Sequence, residues 1–175
     1  MSSSPHLPRL LYIGDVPVES SLHGSALIYR LLQNYPPEKL RIIEGSTRNS
    51  LPERRLKGVP YGSVPVGWRR PLSTRFYRWA HLTYTVGAAF RIGAVERLLD
   101  GFQPEAVLTV SHDFLWVTAA GYARRHGLPL HLICHDDWLN MNFKAVVEDS
   151  LIDISTVFDK SWVVESENPK KRSKK

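Results

Sequence analysis

The sequence predicts an α/β fold, a Rossmann-like parallel sheet flanked by helices. Three observations carry that expectation. The short run Leu10–Ile13 is apolar throughout rather than alternating, and Leu40–Glu44, Ala106–Val110 and Pro129–Cys134 read as further strands. Strands buried on both faces have that pattern, and parallel sheets are buried on both faces. Segments of helical spacing separate these runs, and strands alternating with helices imply parallel crossovers. Finally, the runs lead into glycine or polar clusters, Gly14, Gly45, Ser111-His112-Asp113 and His135-Asp136-Asp137.

The first strand lies within Arg9 to Val16. A small-residue loop follows, with Pro17, Glu19, Ser20, Ser21 and Gly24. A helix from Gly24 to about Asn34 carries Leu27, Ile28, Leu31 and Leu32 on one face, spaced to pack on a sheet. Pro36 and Pro37 stop it. Leu40 to Glu44 is the second strand, completing a βαβ unit with a right-handed crossover. Ser46 to Gly67 is loop-rich, with a short strand at Val64 to Val66. From Pro71 the pattern turns helical, with Leu72, Phe76, Trp79, Thr83, Val86 and Phe90 as its apolar stripe, and it ends near Asp100 and Gly101.

Ala106 to Val110 is the third clear strand. Ser111 and Asp113 offer side-chain caps for the next helix. Its inner face is Leu115, Ala119, Tyr122 and Ala123, with Arg124 and Arg125 near its end and Gly127 as the stop. Pro129 to Cys134 is the fourth strand. Phe143, Val146, Val147, Leu151, Ile154 and Phe158 mark a further helical stripe, and Trp162 to Val164 a last short strand. Residues 1–8 read as a disordered N-terminus, 9–167 as one lobe and 168–175 as a basic tail.

The chain has 175 residues and a formal charge of +6. That length suffices for a core without disulfides or metals. Lys170, Lys171, Arg172, Lys174 and Lys175 supply most of the excess charge, leaving 18 basic against 17 acidic groups elsewhere. A near-neutral body argues against nucleic acid as the partner. A single cysteine, Cys134, allows no internal disulfide and fits a reducing, cytoplasmic setting. No charged segment precedes an apolar one at the N-terminus, as a signal peptide requires. Trp79 to Val95 contains His81 and Arg91 and falls short of the ~20 apolar residues of a spanning helix. Peripheral membrane contact stays open.

Ligands of open parallel sheets bind beyond the carboxyl ends of the strands, so the chemistry is sought there. Gly14 to Gly24 precedes a helix whose N–H groups suit an anion or a sugar hydroxyl. It matches neither GxGxxG nor a P-loop, and a plain connecting loop is the alternative. His112, directly after a buried strand, is placed to hydrogen-bond a polar ligand or act as a base. A simple capping turn with an exposed imidazole is the alternative. Asp136 and Asp137 point opposite ways if extended, which opposes joint chelation, and His131 with His135 lacks a third ligand, so no metal is expected. Trp68, Phe76 and Tyr77 mix with Arg69, Arg70, Arg75 and Arg78. Such a mixture binds single strands or anionic lipid, but an amphipathic helix with solvated arginines explains it equally simply.

The ordered set of motifs resembles the N-terminal, acceptor-side lobe of GT-B glycosyltransferases of the family 4 type. The resemblance runs from the first strand through His23-Gly24 into a helix, then Pro104-Glu105-Ala106-Val107-Leu108 ending at His112. It continues through Ala119, Ala120, Arg124, Gly127, Leu128 and Pro129, then His135-Asp136, and closes on Phe158-Asp159-Lys160 and Val163 to Glu167. It covers most of 9–167. The family's donor lobe with its paired glutamates is missing from these residues, and the first loop lacks the usual Gly-Gly pair. The resemblance implies His112 as the catalytic contact near the transferred sugar, and Gly14, His23, Gly24, His135 and Asp136 as substrate-binding residues. It implies a sugar, glycan or lipid acceptor, no cofactor in this lobe, and a nucleotide-sugar donor held by a partner lobe. Two other readings compete. One is a non-enzymatic α/β binding module whose basic tail contacts nucleic acid or anionic membrane; the other is a small-molecule enzyme that uses His112.

Overall fold

The computed structural model describes residues 7–21, 24–45, 50–66 and 77–133, with the side chains of the long second helix described from residue 86 onward. The described strands are β1 (Leu10–Gly14), β2 (Leu40–Gly45), β3 (Tyr61–Val64), β4 (Ala106–Val110) and β5 (Leu130–Ile133). The helices are α1 (Gly24–Leu32), α2 (Tyr77–Leu98) and α3 (Leu115–His126). The strands form one sheet in the order β3-β2-β1-β4-β5, and every pairing is parallel. The fold is therefore the α/β, Rossmann-like sheet that the apolar runs predict.

Strand β1 lies at the centre, with Leu10 beside Leu40 on one side and Ala106 on the other. Its alternate residues feed two cores. Leu11 and Ile13 pack with Ile43, Val64, Val107 and residues of α2 and α3. Leu10 and Tyr12 pack with Leu40, Ile42, Leu108 and Ile28 and Leu32 of α1. One face carries α1 and the other α2 and α3, as right-handed crossovers require when the winding direction reverses at β1.

Helix α3 matches its sequence signature closely. Leu115, Ala119, Tyr122 and Ala123 are all buried. Gly127 adopts φ 63°, and the N–H groups of Gly127 and Leu128 donate to the carbonyls of Arg124 and Ala123. This is a Schellman stop, which only a left-handed residue completes without strain. Strand β4 has the predicted bounds. Strand β3 lies three residues earlier than expected, although Val66 beyond it is still buried.

Two apolar stripes differ from expectation. On α1, Ile28 and Leu32 are buried, but Leu27 and Leu31 are 51% and 57% exposed. A nine-residue helix lying over one sheet face buries a single i, i+4 row, and the neighbouring row is turned ~100° away. On α2, Val86 and Phe90 are exposed, Phe90 by 80%, while Ala88, Ile92 and Val95, and Leu99 just past the helix, are buried. Both rows have helical spacing. The inner row wins because α2 lies against both the sheet and α3, where a side chain on Gly121 would come within 3.0 Å of Ile92. Among the described residues, no helix is long and apolar enough to cross a membrane.

Residues 7 and 8 are tied to the body. The carbonyl of Leu7 accepts from Lys39 Nζ at 3.0 Å, and that of Pro8 from the Tyr35 hydroxyl. The helical stripe from Phe143 to Phe158, the strand Trp162 to Val164 and the tail 168–175 lie outside the described residues.

The α2 assignment yields a direct test. Phe90→Ser is expected to change stability by no more than about 0.5 kcal/mol, as at other surface positions. Ile92→Ala is expected to cost about 2–5 kcal/mol. Urea melts of the two variants discriminate the buried row from the exposed one.

Candidate functional site at the switch point

The winding direction of the chain reverses between β1 and β4, so the carboxyl ends of these strands border the crevice where such sheets bind ligands. The loop starting at Asp15 leaves β1 there, and the turn Ser111–Phe114 leaves β4.

The second of these carries His112. The Ser111 N–H donates to the carbonyl of Ile133 at 2.9 Å, tying the turn to the end of β5. The His112 N–H donates to Val110 O at 2.7 Å. Asp113 then adopts φ 52°, a left-handed conformation uncommon outside glycine but tolerated best by Asp and Asn. Its carbonyl accepts from the Trp116 indole at 3.2 Å. His112 Nε2 lies 3.7 Å from Asp113 Oδ2, and the imidazole side chain is 45% exposed against 20% for Asp113. The histidine is thus half open to a ligand beside a carboxyl group more shielded than itself.

The expected caps of α3 are corrected by the structure. The residue preceding the helix is Phe114, and no local side chain caps it. The cap comes from Asp15, about a hundred residues earlier. Its Oδ2 accepts from the N–H groups of Phe114 at 2.9 Å and Leu115 at 2.7 Å. Ser111 and Asp113 serve the turn instead. A carboxylate at a helix N-terminus gains both the hydrogen bonds and the dipole interaction, so a buried acid there is stable.

A second buried acid shapes the β1 loop. Glu44, at the carboxyl end of β2, is almost fully enclosed. Its Oε1 accepts from the Val18 N–H at 2.8 Å, and its Oε2 accepts from the N–H and the hydroxyl of Ser50 at 3.0 and 2.8 Å. Ser50 Oγ also accepts from Arg55 Nε at 2.8 Å, and the Arg55 guanidinium lies 4.6 Å over the Tyr61 ring. Further bonds run Leu51 N–H to Glu19, Ser20 N–H to Arg54 O and Tyr61 O–H to Val18 O. Loop 15–21 is therefore clamped to segment 50–61.

Two tyrosines feel this environment. Burial, then Glu44 and Asp15, push the Tyr12 hydroxyl well above its usual range. Burial is also the main reason that Tyr61 is pushed up to about 12 from 10.0. Tyr12 donates to Val16 O at 2.7 Å.

Of the residues expected at the site, the structure brings Gly14, Gly24 and His112 to the sheet's carboxyl end. Gly14 has a packing reason, since a Cβ there would collide with the Tyr12 hydroxyl. At Gly24 a Cβ would meet only Val16, at an ordinary 3.7 Å. His23, His135 and Asp136 lie outside the described residues, as do Asp137, Cys134 and residues 68–76. His131 is on β5 and exposed. Among the described residues, no group of three or more His, Cys, Asp or Glu is placed to hold a metal ion.

Sequence reasoning passed over Asp15, Glu44 and Arg91. An acid closing the apolar run Leu40–Ile43, and another straight after Gly14, are the signals that were present. Arg91 is buried in α2, with its Nε donating to Thr118 Oγ1 of α3 at 2.9 Å. Nothing in the α2 pattern separates it from a solvated arginine.

No protein-family model, curated protein or solved structure matches this chain at a significant level.

Two outcomes follow from the buried acids and tyrosines. Glu44→Ala leaves three buried donors without their acceptor and is expected to cost about 3 kcal/mol or more by chemical denaturation. Tyr61 keeps its proton longer folded than unfolded. Its contribution is thus complete below pH 10.0 and lost as pH rises through about 12. Stability should fall across that window, and less steeply in Tyr61→Phe, as followed by denaturant melts at stepped pH.

Proposed function

We propose that this chain is a glycosyltransferase-like acceptor-binding lobe, which transfers a sugar from a nucleotide-sugar only with a donor lobe supplied by a partner. The observation that supports this most is His112: a half-exposed imidazole on a strained turn, at the switch point of an all-parallel sheet. The order of motifs along the chain adds the resemblance to a family 4 acceptor lobe.

In this reading the acceptor lies across the ends of β1 and β4. Its hydroxyl meets His112, whose imidazole accepts the proton as the oxygen attacks the sugar. The Asp113 carboxyl lies 3.7 Å from the imidazole Nε2. The clamped 15–21 loop forms the opposite wall, leading to Gly24 and the start of α1. The leaving nucleotide and its charge belong to the donor lobe.

Binding tests the proposal without the partner. A panel of neutral methyl glycosides should give saturable NMR shifts at the amides of His112 and Asp113. His112→Ala should weaken binding by about tenfold, equivalent to ~1.4 kcal/mol. A panel that leaves this turn unmoved opposes the reading. So does an isolated chain that turns over nucleotide-sugar unaided.

A further inference from the structure

We propose that Asp15 sets the ligand class of this mouth: by holding the first N–H groups of α3, it reserves the space beside His112 for a neutral hydroxyl and excludes a phosphate. The inference rests on reading the mouth as a ligand site, and it adds which chemistry that site accepts.

In parallel α/β sheets, the helix that leaves a strand at the switch point commonly offers its N-terminus to a phosphate. Helix α3 is in that position. Its first N–H groups and its positive dipole end would otherwise face the crevice. Here the chain fills the anion position itself. Asp15 Oδ2 takes the N–H of Phe114 at 2.9 Å and of Leu115 at 2.7 Å.

Asp15 is not placed like a side chain that steps aside for a ligand. It is only 3% exposed and follows directly on the central strand. Its other oxygen packs where a Cβ on Gly45 would stand, in a space also bounded by Val66 and Leu115. A glycine at 45 is what admits this carboxyl group. Displacing it means burying it elsewhere or dragging the end of β1 outward.

The charge argument runs the same way. A carboxylate at the helix end cancels the positive potential that draws an anion, and Asp113 adds a second acid next to His112. A sugar hydroxyl needs neither and can donate to or accept from the imidazole. The same two bonds hold Phe114 and Leu115, two and three residues from His112, so Asp15 is also a positioning residue for that turn.

The test uses the isotope-labelled full chain at constant ionic strength, with inorganic pyrophosphate as the probe. The wild type should show no saturable shift at the Phe114 and Leu115 amides. Asp15→Ala frees both N–H groups and should gain saturable shifts there, with apparent affinity at least about tenfold above wild type. Asp15→Asn keeps the size, removes the charge, and should show a smaller gain; it serves if the alanine variant does not fold. Saturable pyrophosphate shifts at these amides in the wild type overturn the proposal. A folded variant that binds no better than wild type does the same. If neither variant folds, the wild-type titration alone decides. Neutral methyl glycosides form the second arm. Their failure to move the His112 turn removes the sugar reading, whereas the pyrophosphate arm judges Asp15 independently.

Discussion

The contact between Asp15 and the first turn of α3 joins the two halves of the sheet at the place where the chain changes direction. Strand β1 belongs to the half built first, with β2 and β3; β4, α3 and β5 are laid down on the other side. The β1–β4 pairing and apolar packing on both faces join these halves. Two hydrogen bonds to Asp15 add a directional contact at the helix end. They fix where α3 begins, and so fix the turn that carries His112. Because the helix end is satisfied from across the sheet, that turn needs no local cap, and Asp113 can adopt a left-handed conformation beside the histidine.

Glu44 extends the same logic to the other wall. Burying an acid is costly unless its oxygens are satisfied, and Glu44 accepts three hydrogen bonds from two separate loops. The arrangement is specific in a way that an apolar contact is not, since each oxygen dictates where a backbone N–H must lie. The carboxyl ends of β1 and β2 thus carry enclosed acids, whereas the one described imidazole there is half open.

Much of the fold was legible in the chain. Leu10–Ile13 and Ala106–Val110 are runs that only a doubly covered strand explains, and Gly127 after Arg124 and Arg125 reads as a helix stop with a known geometry. The misreadings share one cause. Leu27 and Leu31, like Val86 and Phe90, have the spacing of a buried row, but spacing is shared by adjacent rows of a helix. The neighbours choose between them. On α2 the choice went to the row with Ala88 and Ile92, because α3 approaches closely at Gly121. The expected caps at Ser111 and Asp113 failed for a related reason: a local rule had no knowledge of an acceptor about a hundred residues away.

The sequence by itself determined the class of fold, the order of strands and helices, and that His112 closes a buried strand. These follow from periodicity, composition and turn chemistry, which act over a few residues. Tertiary structure alone decided the sheet order, which face of each helix is buried, and the partners of Asp15, Glu44 and Arg91. Those depend on contacts between distant segments. A polar residue in a buried run announces that it needs a partner, but only the folded chain shows which one it has.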